Sequence, residues 1–287
     1  MDKGWRIEEA SFIICNQGKA LFGFIGVVLK KDKKSYLTSY DRPCLIVEAQ
    51  YLSNKEKKYI QQELDNLISQ DITDYKITCH LERANLGIGL EYLNIQKKCT
   101  LTLLFTRMID LSNSEEYIKS KIRKSYKSMI NWGLKEFAIK VLDYKNMKWE
   151  DMSCFRELHI KEAGRSTRSI DSWKKQFDAV KAGEAFSVFA YLKNELVSAG
   201  FFIIGDRHCY YGVSASRRDL FSKPIFHSLM WKAIAYAKSI NIKAFETGLE
   251  YSSNIPAFKD SSYKERQISL FKAGFGGRLV PLFVATK

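Results

Sequence analysis

Lys264-Glu265-Arg266-Gln267-Ile268-Ser269-Leu270-Phe271-Lys272-Ala273-Gly274-Phe275-Gly276-Gly277 lies near the C-terminal end of the chain. A charged entry leads into alternating apolar residues, and three glycines surround one aromatic. The alternation predicts a strand over residues 267–272. Gly276 and Gly277 carry no Cβ, so a tight turn or a close backbone approach is expected there. Phe271 and Phe275 supply large apolar anchors on either side of Lys272, and a last strand follows over residues 279–284.

Working outward, the preceding 140 residues read in a definite order. Helices are expected over 149–162 and 171–182, with Met152, Phe155, Leu158, Trp173, Phe177 and Val180 on their inner faces. Strands follow over 185–192, 196–204 and 208–214, joined by Lys193-Asn194-Glu195 and Gly205-Asp206-Arg207 turns. Ser222 then caps a helix with Pro224 in its first turn, and residues 242–247 form another strand. Helix–helix–strand–strand–strand–helix–strand implies a mixed α/β fold with a largely antiparallel sheet.

The first 110 residues show strand-like runs at 11–15, 20–29, 44–49 and 100–105, and an amphipathic helix over 54–69. A second helix is expected from Ser112, with Glu115 at capping-box spacing, to Trp132, ending at Gly133. Residues 112–148 hold nine basic side chains against four acidic ones, about a third of the excess charge in an eighth of the chain and a candidate phosphate-contacting surface. Domain boundaries are therefore expected at 1–110, 111–148 and 149–287.

Apolar residues make up 46% of the 287 and aromatics 13%, which excludes a disordered chain. The net charge of +14 favours anionic partners: nucleic acid, phosphorylated small molecules or an anionic membrane face. Six cysteines and four histidines are scattered without metal-ligand spacing, so no metal site and no disulfide framework is expected. Residues 20–29 are too short to span a bilayer. A cytoplasmic protein without integral membrane contact is expected.

The closing segment resembles the Fem-type and related GNAT-like acyltransferases, in which a late element reads Phe-Lys-x-x-Phe-Gly-Gly, here Phe271 to Gly277. Ser112-x-Ser114-Glu115-Glu116 followed by Lys121-x-Arg123-Lys124 and Ile130-x-x-Gly133 is similar to the pattern that precedes the second domain of Fem-type chains. The resemblance covers most of residues 110–287 and implies a GNAT-like α/β fold, with a degenerate second GNAT-like unit in the first 110 residues. It implies transfer of an acyl group from acyl-coenzyme A to an amine, with an amino sugar in polysaccharide or cell-wall construction as acceptor. Fem-type ligases use aminoacyl-tRNA instead, and a non-catalytic nucleic-acid- or partner-binding protein on the same scaffold is a third reading.

Several residues are candidates for the chemistry. Glu246, near the end of a strand beside Gly248, is the candidate base, and Tyr211 the candidate proton donor to the leaving group. Ser214, Arg217, Arg218, Ser222 and Lys223 lie where a strand runs into a helix N-terminus, a place suited to phosphate. The glycines with which GNAT enzymes hold coenzyme A there are missing. Arg165 and Arg168 are expected to grip an acceptor anion and Trp173 to stack on a sugar or base. Lys264, Lys272, His159 and His227 read as solvated or packing residues.

Overall fold

Ser262 decides how the C-terminal segment folds. Its hydroxyl accepts from the Glu265 amide at 3.2 Å, and the Glu265 carboxylate accepts from the Ser262 amide at 2.8 Å. This reciprocal cap starts a helix, and residues Tyr263–Ala273 are helical where a strand was expected. The alternation at Ile268 and Leu270 was misleading because both side chains are exposed. The buried positions follow helical spacing: Ser269 and Lys272 share one face, and Phe271 and Phe275 another.

The computed structural model describes residues 6–44, 47–48, 52–68, 71–80, 88–205 and 207–287. The chain divides into two compact units, the first comprising 1–106, 252–261 and 279–287 and the second 107–251 and 262–278. The chain thus passes between the two units four times, after residues 106, 251, 261 and 278.

In the first unit β1 (Arg6–Glu9), β2 (Phe12–Asn16), β3 (Lys19–Phe24), β4 (Val27–Lys31), β5 (Lys34–Cys44) and β6 (Val47–Glu48) precede α1 (Asn54–Leu67), β7 (Asp74–His80) and α2 (Ile88–Ile95). The single strand expected over 20–29 is two, because the chain turns at Gly26, where a Cβ would stand 2.7 Å from the Phe24 ring. The strand expected over 44–49 lies partly outside the described residues. Helix α1 is capped by Ser53 rather than Asn54, again reciprocally with Glu56. Its Ile60 and Leu64 enter a core with Leu21, Phe22, Leu37, Ile77 and Tyr92.

Strand β8 (Thr100–Asp110) leads into the second unit. There α3 (Glu115–Lys121) and α4 (Lys124–Glu136) replace the single helix expected over 112–132. The chain is extended at Ile122 and Arg123, and the Arg123 amide freed by this break donates to the Gly274 carbonyl at 2.9 Å. The cap is Ser114, not Ser112. Gly133 does not end α4; it lies inside the helix, buried against Ser228.

Next come β9 (Ala138–Leu142), α5 (Trp149–Ala163), α6 (Ile170–Lys181), β10 (Ala185–Leu192), β11 (Glu195–Ile204), β12 (His208–Ser216), α7 (Ile225–Ser239), β13 (Ala244–Leu249) and α8 (Tyr263–Ala273); β14 (Arg278–Thr286) returns to the first unit. Strands β9 to β12 pair antiparallel in sequence order, and β13 pairs parallel to β12. This is the mixed, largely antiparallel sheet expected. Helix α7 buries Ile225, Leu229, Met230, Ala233, Ile234 and Ala237 on one face of it, and α5 and α6 bury Met152, Phe155, Leu158, Trp173 and Val180. Each large side chain so buried stabilises the fold by about 1.5–3 kcal/mol.

Of the glycines of the closing segment, Gly274 and Gly276 lie against the α3–α4 elbow and Gly277 against β8. A Cβ on Gly274 would enter the Tyr126 ring. Gly277 has φ +84°, and a Cβ there would meet the Met108 carbonyl oxygen at 2.7 Å. Gly277→Ala is expected to lose about 2 kcal/mol or more in urea denaturation, from backbone strain and overlap together. Gly18→Ala, at φ +77° but in open space, should lose only about 1 kcal/mol.

Candidate functional site

The parallel ladder between β12 and β13 is short. Its pairs are His208 with Ala244, Cys209 with Phe245 and Tyr210 with Glu246. Past that point β12 continues to Ser216, still paired to β11 but with no further described pair to β13. A pocket of about 600 Å³ opens along this part of β12. Tyr211, Ser214 and Ser216 of β12, the end of α5, the start of α7 and one side of α8 form its walls.

Helix α8 brings a cation into this site. Lys272 lines the pocket, half-buried. Its Nζ stands 3.0 Å, and the Tyr210 Oη 3.5 Å, from the point where Gly248 would carry a Cβ. Gly248, at φ +96°, leaves that space to them. Burial pushes the Lys272 ammonium down to about 8, opposed by the nearby Glu246 and Glu250 carboxylates. Glu250 is itself paired with Arg107 at 3.2 Å, both side chains being largely buried. One turn back along α8, the Ser269 hydroxyl accepts from the Tyr251 amide at 2.7 Å, which fixes the helix against the end of β13.

Glu246 is only 2% exposed and lies within β13, its carboxylate 3.0 Å from His208 Nε2. It does not line the pocket. Glu246, the base expected from sequence, thus lies outside this pocket's wall, and its charge acts on Lys272. Tyr211 does line the pocket. Burial pushes its phenol up to about 12, and its hydroxyl meets Ser214 Oγ at 2.5 Å, so it keeps its proton at neutral pH.

At the strand–helix turn where an anion was expected, Arg217 and most of the backbone amides already have partners. Arg217 is held by Glu195 at 2.8 Å and by Asp219 at 2.6 Å and does not line the pocket. The amides of Leu220, Phe221, Lys223, Ile225 and His227 all donate to backbone carbonyls. The Arg218 amide donates to the Glu162 carboxylate at 3.0 Å. Ser222 is exposed and outside the pocket wall, whereas Ser214, Arg218 and Lys223 are part of it.

The acceptor residues expected on the 164–169 loop are not brought together either. Arg165 and Arg168 do not line the pocket. Trp173 is 1% exposed, edge-on to Phe155 at 5.2 Å and to His159 at 5.6 Å, so its ring cannot stack on a ligand.

Sequence reasoning missed Lys272, Glu162, His159 and His227 as pocket residues. The signal for Lys272 was the cap at Ser262, which sets its helical face. His227 sits between Tyr126 at 4.4 Å and Phe271 at 5.1 Å, both edge-on, and burial pushes it down to about 4. His159 is lowered for the same reason, with a smaller effect from Arg168. Both imidazoles are neutral at pH 7.

No family model and no curated protein matches the sequence. Among solved structures, FemX superposes with a TM-score of 0.69 at 12% identity, over 98% of this chain and 88% of that one. The C-terminal domain of a lysylphosphatidylglycerol synthetase from Agrobacterium fabrum gives 0.62 at 8%, over 96% and 84%. A tandem GNAT protein from the clavulanic acid pathway gives 0.55 at 10%, over 100% and 84%. The chain has a Fem/GNAT-like fold. The fold assigned by resemblance thus stands, although the Fem-like closing signature is a helix and its glycine turn rather than a late strand.

The neutral His227 of this Fem/GNAT-like fold has a measurable consequence. An unfolded imidazole titrates near 6.5 and the folded one near 4, so the unfolded state binds the extra proton between those values. Stability due to this group is full above pH 6.5 and is lost as pH falls toward 4. Urea denaturation at pH 7 and pH 5 should show His227 contributing about 2 kcal/mol to the difference. His227→Phe should remove that share, and an unchanged pH dependence would contradict the buried neutral state.

Proposed function

We propose that the chain is an acyltransferase that moves an aminoacyl group from tRNA to an amine. The observation that carries the donor class is that most amides of the strand–helix turn already have partners. A pyrophosphate needs free amides, and those of Arg218, Leu220, Phe221, Lys223, Ile225 and His227 are already engaged. An aminoacyl ester on a ribose needs no pyrophosphate cradle. The exposed Lys121, Arg123 and Lys124 at the α3–α4 elbow supply a basic surface for the nucleic acid. The names of FemX and of the lysylphosphatidylglycerol synthetase support aminoacyl chemistry on this fold.

In this reading the amine nitrogen attacks the ester carbonyl carbon within the pocket, and the oxyanion that develops meets the Lys272 ammonium. The carbon–oxygen bond to the ribose then breaks. The leaving oxygen takes up one proton, for which Tyr211 is a hydroxyl donor in the wall, and the nitrogen gives one up. Glu246 keeps Lys272 charged at neutral pH. An amino sugar is the acceptor implied by the sequence resemblance.

The tandem GNAT structure, whose name mentions acetyl-coenzyme A, supports the second reading, in which acyl-coenzyme A is the donor. Incubation of the full chain with aminoacyl-tRNA or acetyl-coenzyme A, and with nucleotide-linked amino sugars, separates the two by mass spectrometry of the products. Aminoacyl products that weaken steeply with salt are expected. Turnover with acetyl-coenzyme A alone would overturn the donor assignment. Lys272→Met should lower kcat by about 10²-fold or more. Because the ammonium form is required, the wild-type rate should fall above pH 8, and Lys272→Arg should lose that descending limb.

A further inference from the structure

Glu162 is the last acidic residue of α5 and forms part of the pocket wall. Its Oε2 accepts from the Arg218 amide at 3.0 Å. That amide opens the turn between β12 and α7, and the other walls of the pocket carry four cationic side chains, Arg218, Lys223, Lys264 and Lys272. A carboxylate seated on a backbone amide among cations makes the contact that a ligand's phosphate oxygen would make. Asp219 on the same turn and Glu195 at the start of β11 neutralise the neighbouring Arg217.

We propose that Glu162 determines donor specificity by standing in for a phosphate: it holds the Arg218 amide and thereby bars pyrophosphate-bearing donors from this end of the pocket. The inference rests on the aminoacyl-tRNA reading and adds the residue that enforces it. Two effects act together. An anion entering here must displace the carboxylate from its hydrogen bond, and it must approach a like charge within a few ångströms. The donor class that passes carries an uncharged ester-linked ribose at this point. With Glu162 removed, one amide and the cations of the pocket wall remain, which is the composition of an anion site.

The experiment measures binding of coenzyme A and of inorganic pyrophosphate to the full chain by calorimetry, in the wild type, Glu162→Ala and Glu162→Gln. The alanine variant frees the amide and removes the charge; the glutamine variant removes the charge and keeps an acceptor. Circular dichroism and thermal unfolding establish that each variant is folded. Weak binding to the wild type is expected, with a gain of about tenfold or more for both ligands in Glu162→Ala and a smaller gain in Glu162→Gln. Folded variants that gain no affinity would overturn the role of Glu162 and leave the donor assignment standing. Wild-type protein that binds coenzyme A as tightly as the variants would overturn both.

Discussion

A half-buried ammonium must be compensated, and the second unit is arranged around that requirement at Lys272. Desolvation alone disfavours a charged lysine. The Glu246 and Glu250 carboxylates offset it, while Arg107 and His208 hold those carboxylates in turn. Gly248 supplies the room, because any side chain there would collide with the lysine. Removing one member would leave a buried charge without its partner, which costs several kcal/mol. The cluster is therefore a constraint on β8, β12, β13 and α8 together, and it places the Lys272 ammonium at the wall of the pocket.

The position of that cation depends on how α8 begins and ends. The reciprocal Ser262–Glu265 cap sets the phase of the helix, so Ser269 and Lys272 face β13 while Phe271 and Phe275 face Tyr126 and His227. The glycines after it accept the α3–α4 elbow and β8 at distances that no Cβ allows. The Phe-Lys-x-x-Phe-Gly-Gly segment thus joins the pocket's Lys272 to its structural support within seven residues.

Much of this fold was legible in the sequence. The strands β10 to β12 and the helices α5 and α6 follow from apolar periodicity with strong turn residues between them and are found close to their expected limits, whereas α7 starts at Ile225 behind Pro224 and not at the Ser222 cap expected. The errors have specific physical causes. Alternation at Ile268 and Leu270 imitated a strand, although the Ser-x-x-Glu cap at 262–265 was present to contradict it. The break at Ile122–Arg123 has no local signal, because a tertiary hydrogen bond to Gly274 stabilises it. For the site, residue type was a guide to chemistry but not to address. Glu246 and Lys272 are a coupled pair of which only the lysine reaches the pocket. Arg217 and Trp173 have suitable chemistry and are consumed by Glu195, Asp219 and the α5–α6 core. Long-range pairing of that kind is set by packing and is not encoded in any short stretch.

The most direct measurement of this account is the titration of the Lys272 side chain by heteronuclear NMR on lysine-labelled protein, assigned through Lys272→Arg and repeated in Glu246→Gln. The account predicts a midpoint near 8 in the wild type and a lower one in the variant, since Glu246 holds the proton on. A midpoint at the ordinary lysine value of 10.5, unmoved by the loss of Glu246, would contradict it.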